Sequence, residues 1–251
     1  MRLSVITVTF NSAATLAGAI ESVSQQRDVD VEHIIVDGGS IDGTMEVVRS
    51  YPHIRKAVSE PDRGIYDAMN KGIAMAEGEV VGILNSDDLY HDPLVLSRVS
   101  EVFRDPGIDL AYGDLEYVSA ADVGKVVRYW KAGSYRDGLF NWGWMPPHPT
   151  FFVRKEVYQR LGTFNLAIGT SADYELMLRF MHIHRLNAAY IDRVLVRMRS
   201  GGASNESFAA RWKANRNDKR AWEINGVKPY WFTMFLKPVR KVGQYLVRPK
   251  V

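Results

Sequence analysis

Short β-branched runs alternate with helix-period segments through the first half of this chain, and every run ends in a polar loop. The runs Leu3 to Thr9, Val31 to Val36, Ile54 to Val58 and Val80 to Leu84 read as strands. Between them, Leu16, Ala19, Ile20 and Val23 recur at helical spacing, "GTMEVVRSY" supplies a second helix, and Ile65, Met69, Gly72, Ile73 and Ala76 mark a third. This alternation predicts a mostly parallel α/β sheet flanked by helices. Ligands of such sheets bind outside the carboxyl ends of the strands. The loops there are "TFNS", "DGGSIDGT", "SEPDRG" and "NSDD", so four strand ends are expected to converge on one cleft.

The second half is mixed. Asp92 and Pro93 predict the start of a helix reaching about Arg104, and strands are expected at Leu110 to Tyr112 and Val126 to Trp130. "NWGWMPPHPTFFVRK" reads as a Pro-rich turn into an apolar strand. A helix from Asp173 to about His182, two strands at Ala188 to Ile191 and Val194 to Met198, and a polar helix from about Ser207 to Glu223 complete the pattern. No repeat or linker divides the 251 residues, which predicts one domain with a C-terminal extension.

Charge narrows the function classes. From Lys228 onward there are six basic residues and no acidic one, leaving 26 basic against 29 acidic in the rest of the chain. A mildly acidic body argues against a nucleic-acid-binding domain, whose cations would spread over the folded surface. The tail mixes its cations with Trp231, Phe232, Phe235, Leu236, Val239, Val242, Tyr245 and Leu246, a pattern suited to an anionic membrane surface. Packing on its own domain, or on a second subunit as a homodimer, is the alternative, with Pro238 expected to interrupt any continuous helix. Cysteine is absent, so any metal must be held by oxygen or histidine. The N-terminal run is broken by Ser4, Thr7 and Thr9 and reads as a strand rather than a signal peptide, which predicts a cytoplasmic protein, peripheral on the membrane if the tail binds it.

Each loop carries chemistry and a plainer alternative. Arg63 beside Gly64 suits close approach to a phosphate or sugar, while Asp62 could simply cap the next helix. Asp37 ends the second strand, where an exposed carboxylate could accept hydrogen bonds from a ribose or base, or merely open a turn capped by Asp42. The G-x-G-x-x-G order of dinucleotide folds is missing. Asp87 and Asp88 suit a hard divalent cation, which takes one or two carboxylates plus phosphate oxygens from its substrate; helix capping by Asp88 and Asp92 is the competing role.

Taken in order, "TVTFNS", "VDGGSIDGT", "EPDRGIYDAMNKG" and "NSDD" resemble the family 2 glycosyltransferases, inverting enzymes of GT-A fold that use nucleotide-diphosphate sugars, and in particular those of bacterial exopolysaccharide and lipopolysaccharide assembly. The resemblance implies a GT-A domain over residues 1–204, with a nucleotide-sugar half at 1–112, an acceptor-side half at 113–204, and a helical extension at 205–251. It implies that Thr7, Phe10 and Asn11 border the nucleotide, that Asp37 meets the base, commonly uracil, and that Asp62 and Arg63 line the pocket, with Asp67, Asn70 and Lys71 as weaker candidates. Ser86 and Asp87 fall on the family's D-x-D motif, whose last position, Asp87, would ligate Mn²⁺ or Mg²⁺; its first position is Asn85 here. "TSADYELMLRF" matches the pair that carries the general base, making Asp173 the base, with Glu175 in reserve and Ala172 where the family has an acid. The implied partners are a nucleotide-sugar donor, with UDP-sugars favoured, and a hydroxyl of a glycan or polyprenyl-linked glycan acceptor. His148 beside the cleft could touch the diphosphate, the metal or the acceptor, or be structural. Arg199, Gly202 and Ser204 could close over the diphosphate, or form a simple turn. A nucleotidyltransferase and a non-catalytic binding module are the competing classes; the first would release pyrophosphate, and the second would consume no donor.

Overall fold

Strand β1 (Arg2–Thr9) is buried along nearly its whole length because it pairs in parallel on both edges, with β2 (Asp30–Asp37) and β4 (Val80–Asn85). Its side chains alternate between two apolar layers: Ile6 and Val8 enter one core, and Leu3 and Val5 the other. β3 (Lys56–Ser59) adds in parallel to β2. The register sets Thr9 opposite Asp37, Asp37 opposite Ser59, and Val8 opposite Asn85, so the polar strand ends are level with one another.

The computed structural model describes residues 1–201 and 208–244. Beyond β4 the sheet becomes mixed. β8 (Phe152–Arg154) runs antiparallel to β4 and to the start of β6 (Leu110–Val118), and β9 (Ala188–Arg199) lies parallel to β6. β7 (Val126–Trp130) pairs antiparallel with the second part of β6. β5 (Leu89–Tyr90), a strand not anticipated from sequence, pairs antiparallel with β9 and so secures the acidic loop that follows β4. The full order is β3-β2-β1-β4-β8-β6-β9-β5.

Where two strands were expected at 188–198 there is one, because the pairing partner jumps from Gly113–Ile191 to Asp114–Val194 and Asp192 and Arg193 bulge into solvent. The buried Asp114 stands at that jump and accepts hydrogen bonds from the Tyr129 and Tyr190 hydroxyls and the Ala132 amide.

The helices α1 (Leu16–Ser24), α2 (Thr44–Arg49), α3 (Ile65–Met75), α4 (Val95–Val102) and α6 (Ala172–Met177) fall where helices were expected, with shifted ends, and α5 (Lys155–Leu161) is a helix not anticipated from sequence. α4 starts later than Asp92, whose Oδ1 instead accepts the Leu94 amide at 2.8 Å and whose carboxylate also pairs with Arg98. α6 passes into a wider turn over Leu178–Ile183, so the expected helix to His182 is continuous but not uniformly wound.

α7 (Phe208–Ile224) and α8 (Thr233–Gly243) occupy the span expected to be an extension, yet they share the main core. Trp222 is fully buried and donates to the Tyr174 hydroxyl at 2.9 Å, and Asn225 donates to Glu175 at 3.0 Å. Pro238 lies inside α8 rather than ending it. Gly202 and Ser204 lie outside the described residues, as do Tyr245, Leu246, Arg248 and Lys250.

The glycine in the middle of α3 has a packing reason. A Cβ at Gly72 would stand 2.3 Å from Cγ2 of Ile6, a β-branched side chain in the middle of the buried strand. Gly72→Ala would gain about 1 kcal/mol of helix propensity but force an overlap typically costing about 1–3 kcal/mol. We expect net destabilisation, read as a lower urea midpoint with an unchanged m-value.

Candidate active site

Three of the strand-end loops meet at Gly38, where an added Cβ would stand 3.1 Å from Asp62 Oδ2 and 3.3 Å from the Phe10 ring. Asn11 takes a left-handed conformation (φ 48°) that lets its amide donate to Ser40 Oγ at 2.7 Å while its side-chain oxygen accepts the Ile41 amide at 3.1 Å. These bonds stitch the loop after β1 to the loop after β2. Together with the loop after β4 they wall a cleft of about 840 Å³, large enough for a nucleotide sugar. Phe10, Asn11, Asp62, Ser86 and Asp87 line it, and Phe10 offers a 62 % exposed ring.

Three other expected contacts are placed differently. Thr7 is fully buried within β1, its hydroxyl 3.0 Å from His33 Nε2, whereas Thr9, two residues on, and Thr15 line the cleft. Asp37 is not an exposed carboxylate: it is wholly buried and accepts from the Gly39 and Ser40 amides and the Ser40 and Ser59 hydroxyls. The exposed Arg63 guanidinium turns back to Asp67 at 2.8 Å instead of entering the cleft. Lys71 is committed to Asp62 and Glu60. Asn70 clamps Phe164 reciprocally, amide to carbonyl and carbonyl to amide, each at 2.9 Å.

The acidic loop after β4 is unevenly satisfied. Asp88 is fully buried and caps no helix; its Oδ2 accepts from Asn85 Nδ2 at 3.0 Å. Asp88 Oδ1 and Asn85 Oδ1 are buried without a hydrogen-bond partner. Burial, and then the charge of Asp87, push the Asp88 carboxyl well above the usual carboxylate range. Asp87 faces the cleft, and its backbone oxygen accepts from Arg199 Nε at 3.1 Å, so Arg199 holds the loop through its main chain. Among the described residues no three His, Asp or Glu side chains cluster closely enough to hold a metal alone. An all-oxygen loop with two orphaned oxygens nevertheless suits a hard cation that draws its remaining ligands from a diphosphate.

Asp173, in the first turn of α6, is reached from both halves of the fold. Tyr66 of α3 donates its hydroxyl to Asp173 Oδ1 at 3.0 Å and also to the Thr170 carbonyl at 3.2 Å. His148 Nδ1 lies 3.5 Å from Asp173 Oδ2. Tyr66 and His148 both line the cleft. Burial, reinforced by Asp173, raises the Tyr66 phenol well above its ordinary value, so it remains a neutral donor. Burial lowers His148, against the opposing pull of Asp173, which leaves the imidazole neutral near pH 7. Glu175, the reserve candidate, is buried and tied to Arg179 and Asn225, so it is unavailable as a base.

Tyr66 is the member of this group that sequence reasoning missed. Its spacing to Met69 and Ile73 on α3 is that of a core stripe, and only its neighbours Arg63 and Gly64 hinted at a site.

The chain has relatives of known class. It is 28% identical over 209 residues to a PGL/p-HBAD biosynthesis glycosyltransferase of Mycobacterium tuberculosis, covering 80% of this chain and 78% of that one. It is 31% identical over 194 residues to an uncharacterized glycosyltransferase of the same species, covering 70% and 68%. Among solved structures, S. aureus TarS in complex with UDP superposes with a TM-score of 0.63 at 15% identity, covering 89% of this chain and 72% of that one. The mannosyltransferase PcManGT from Pyrobaculum calidifontis, solved with GDP-Man and Mn²⁺, gives 0.62 at 19%, covering 93% and 67%. These likenesses show the GT-A fold. The glycosyl transferase family 2 model matches residues 4–162, and with the strand-end cleft and its acidic loop the match makes this chain a family 2 glycosyltransferase.

Proposed function

We propose that this glycosyltransferase moves a sugar, with inversion, from a nucleotide-diphosphate donor, a UDP-sugar in preference, to a hydroxyl of a glycan or lipid-linked glycan in bacterial surface polysaccharide assembly. The observation that carries the reading is the Asp173 carboxylate held between Tyr66 and His148, two residues that line the same cleft as Asp87. TarS with UDP-GlcNAc and PcManGT with GDP-Man support a nucleotide-sugar donor.

In this mechanism the residues divide the work by position. The Tyr66 hydroxyl occupies one oxygen of Asp173, orienting the carboxylate so that Oδ2 accepts the acceptor's proton. Neutral His148 beside Oδ2 leaves the carboxylate free of an ion pair, and its side chain, 32 % exposed, lines the cleft that the acceptor hydroxyl would enter. The acceptor oxygen attacks the anomeric carbon from the face opposite the diphosphate, forming the new C–O bond as the bond to the diphosphate breaks. Phe10 offers a flat apolar surface for the nucleotide, and Asn11 and Ser86 polar groups. Asp87, with the donor's own oxygens, would hold Mn²⁺ or Mg²⁺, and the Asn85–Asp88 hydrogen bond would steady the loop that carries it. When bound, that cation supplies charge neutralisation for the departing diphosphate.

Asp173→Asn should lower transfer by about 10²–10⁴-fold while nucleotide binding persists, and near-normal transfer would remove Asp173 from the base role. Tyr66→Phe should cut kcat by roughly tenfold to a hundredfold, the worth of a hydrogen bond to a charged group, with donor KM little changed. Asp87→Ala should weaken nucleotide binding in the presence of Mn²⁺, and full transfer by wild-type protein in excess chelator would refute the cation assignment. Release of nucleoside diphosphate rather than pyrophosphate, assayed over a panel of donors first ranked by thermal shift, checks the reaction class.

A further inference from the structure

Five large apolar side chains stand in solvent on one side of the molecule, and glycosyl transfer uses none of them. Trp231 is 84 % exposed, Phe235 67 %, Val239 62 %, and Tyr230 and Trp142 each 53 %. Phe235 and Val239, four residues apart, share one stripe along α8, and Trp231 lies in the turn that enters it. Trp142 comes from a one-turn helix at Leu139–Trp142, far from them in sequence. The Phe232 ring joins the set, with Trp142 at 5.2 Å, Tyr230 at 5.3 Å and Trp231 at 5.6 Å between ring centroids. Contiguous exposed surface of this kind marks an interaction site.

The opposite side of α8 is anchored, so the stripe cannot rotate inward. Thr233 donates to the Asn141 carbonyl at 2.6 Å, and the Lys237 ammonium is paired with the buried Asp218 and stands 3.8 Å from the Tyr174 ring centroid. The α8 backbone presses on Gly143, where an added Cβ would lie 2.5 Å from Lys237 N. Packing of the tail on its own domain, one of the readings open from sequence, therefore uses this inner face and leaves the outer one bare.

Charge selects the occupant. Lys228 and Arg240 are exposed, Arg240 donates to the Trp142 carbonyl at 3.2 Å beside the aromatic patch, and from Lys228 onward the chain has no acidic residue. A two-fold pairing of this face with itself would set these cations against one another. An anionic lipid surface instead takes the aromatic stripe into its interfacial layer and the cations at its headgroups. We propose that Trp142, Trp231 and the Phe235 and Val239 face of α8 form a docking surface for an anionic bilayer. Lys237, counted among the tail's cations by sequence, takes no part, since it faces inward. The proposal stands independently of the base assignment.

The test uses the full chain and vesicles of phosphatidylglycerol mixed with phosphatidylcholine, against phosphatidylcholine alone. Wild-type protein should co-sediment with the anionic vesicles, with a blue shift of tryptophan emission, and bind the neutral ones far more weakly. Trp231→Ala combined with Phe235→Ala should lower partitioning by at least about tenfold, because burying each such side chain is worth more than that factor. Both side chains are exposed, so the thermal midpoint should stay at the wild-type value, which separates lost docking from lost folding. Lys228→Glu should weaken binding to the anionic vesicles alone, with the loss shrinking as salt rises. Absence of wild-type binding to anionic vesicles, or equal partitioning by the double variant, would overturn the proposal. So would a dimer seen by sedimentation equilibrium that the same two substitutions dissolve.

Discussion

The arrangement of the site depends on the parallel pairing of β1 with β2 on one edge and β4 on the other. Because side chains and register advance together along parallel strands, this pairing brings Thr9, Asp37 and Ser59 to one level, with Asn85 beside Val8 one residue before it. The apolar part of each strand is spent on the two cores. What remains at the carboxyl ends is polar backbone and short polar side chains, and these build the cleft. Gly72 extends the same constraint to α3, since the helix that carries Tyr66 rests directly on Ile6 of β1.

A second set of contacts joins the parallel first half of the fold to its mixed second half. Asn70 holds the Phe164 backbone at both its amide and its carbonyl, and Tyr66 reaches Asp173 from the same helix. α3 therefore sets the position of α6 relative to the cleft. α7 and α8 brace α6 from behind through Trp222, Asn225 and Lys237. A carboxylate proposed as a base gains from such bracing, because a proton acceptor works only within hydrogen-bond reach of its donor.

Much of this was legible in sequence wherever a local pattern had one physical solution. The four β-branched runs and three intervening helices of the first half follow from periodicity, and the cleft at their polar ends follows from the parallel topology. Thr7 and Asp37 show where local reading stopped. Both sit in quoted motifs, but burial depends on which neighbour covers a side chain: His33 takes the Thr7 hydroxyl, and Ser40 and Ser59 take the Asp37 carboxylate. Arg63 likewise chose a partner four residues away over the cleft. In the second half the signals were shorter, and β5 and the bulge at Asp192 arise from long-range pairing with no local signature.

By itself the sequence determined the α/β class, the order of strand-end loops, the family resemblance, and Asp87 and Asp173 as the carboxylates to follow, because these rest on patterns local to the chain. Only the tertiary structure decided which side chains meet. It brought Tyr66 and His148 to Asp173 across more than one element, buried Asp88 beneath Asn85, withdrew Lys237 from the tail's cations, and added Trp142 to the tail's aromatic face. Each of these is a contact between residues distant in sequence, and its existence depends on how helices and strands pack, which no local periodicity encodes.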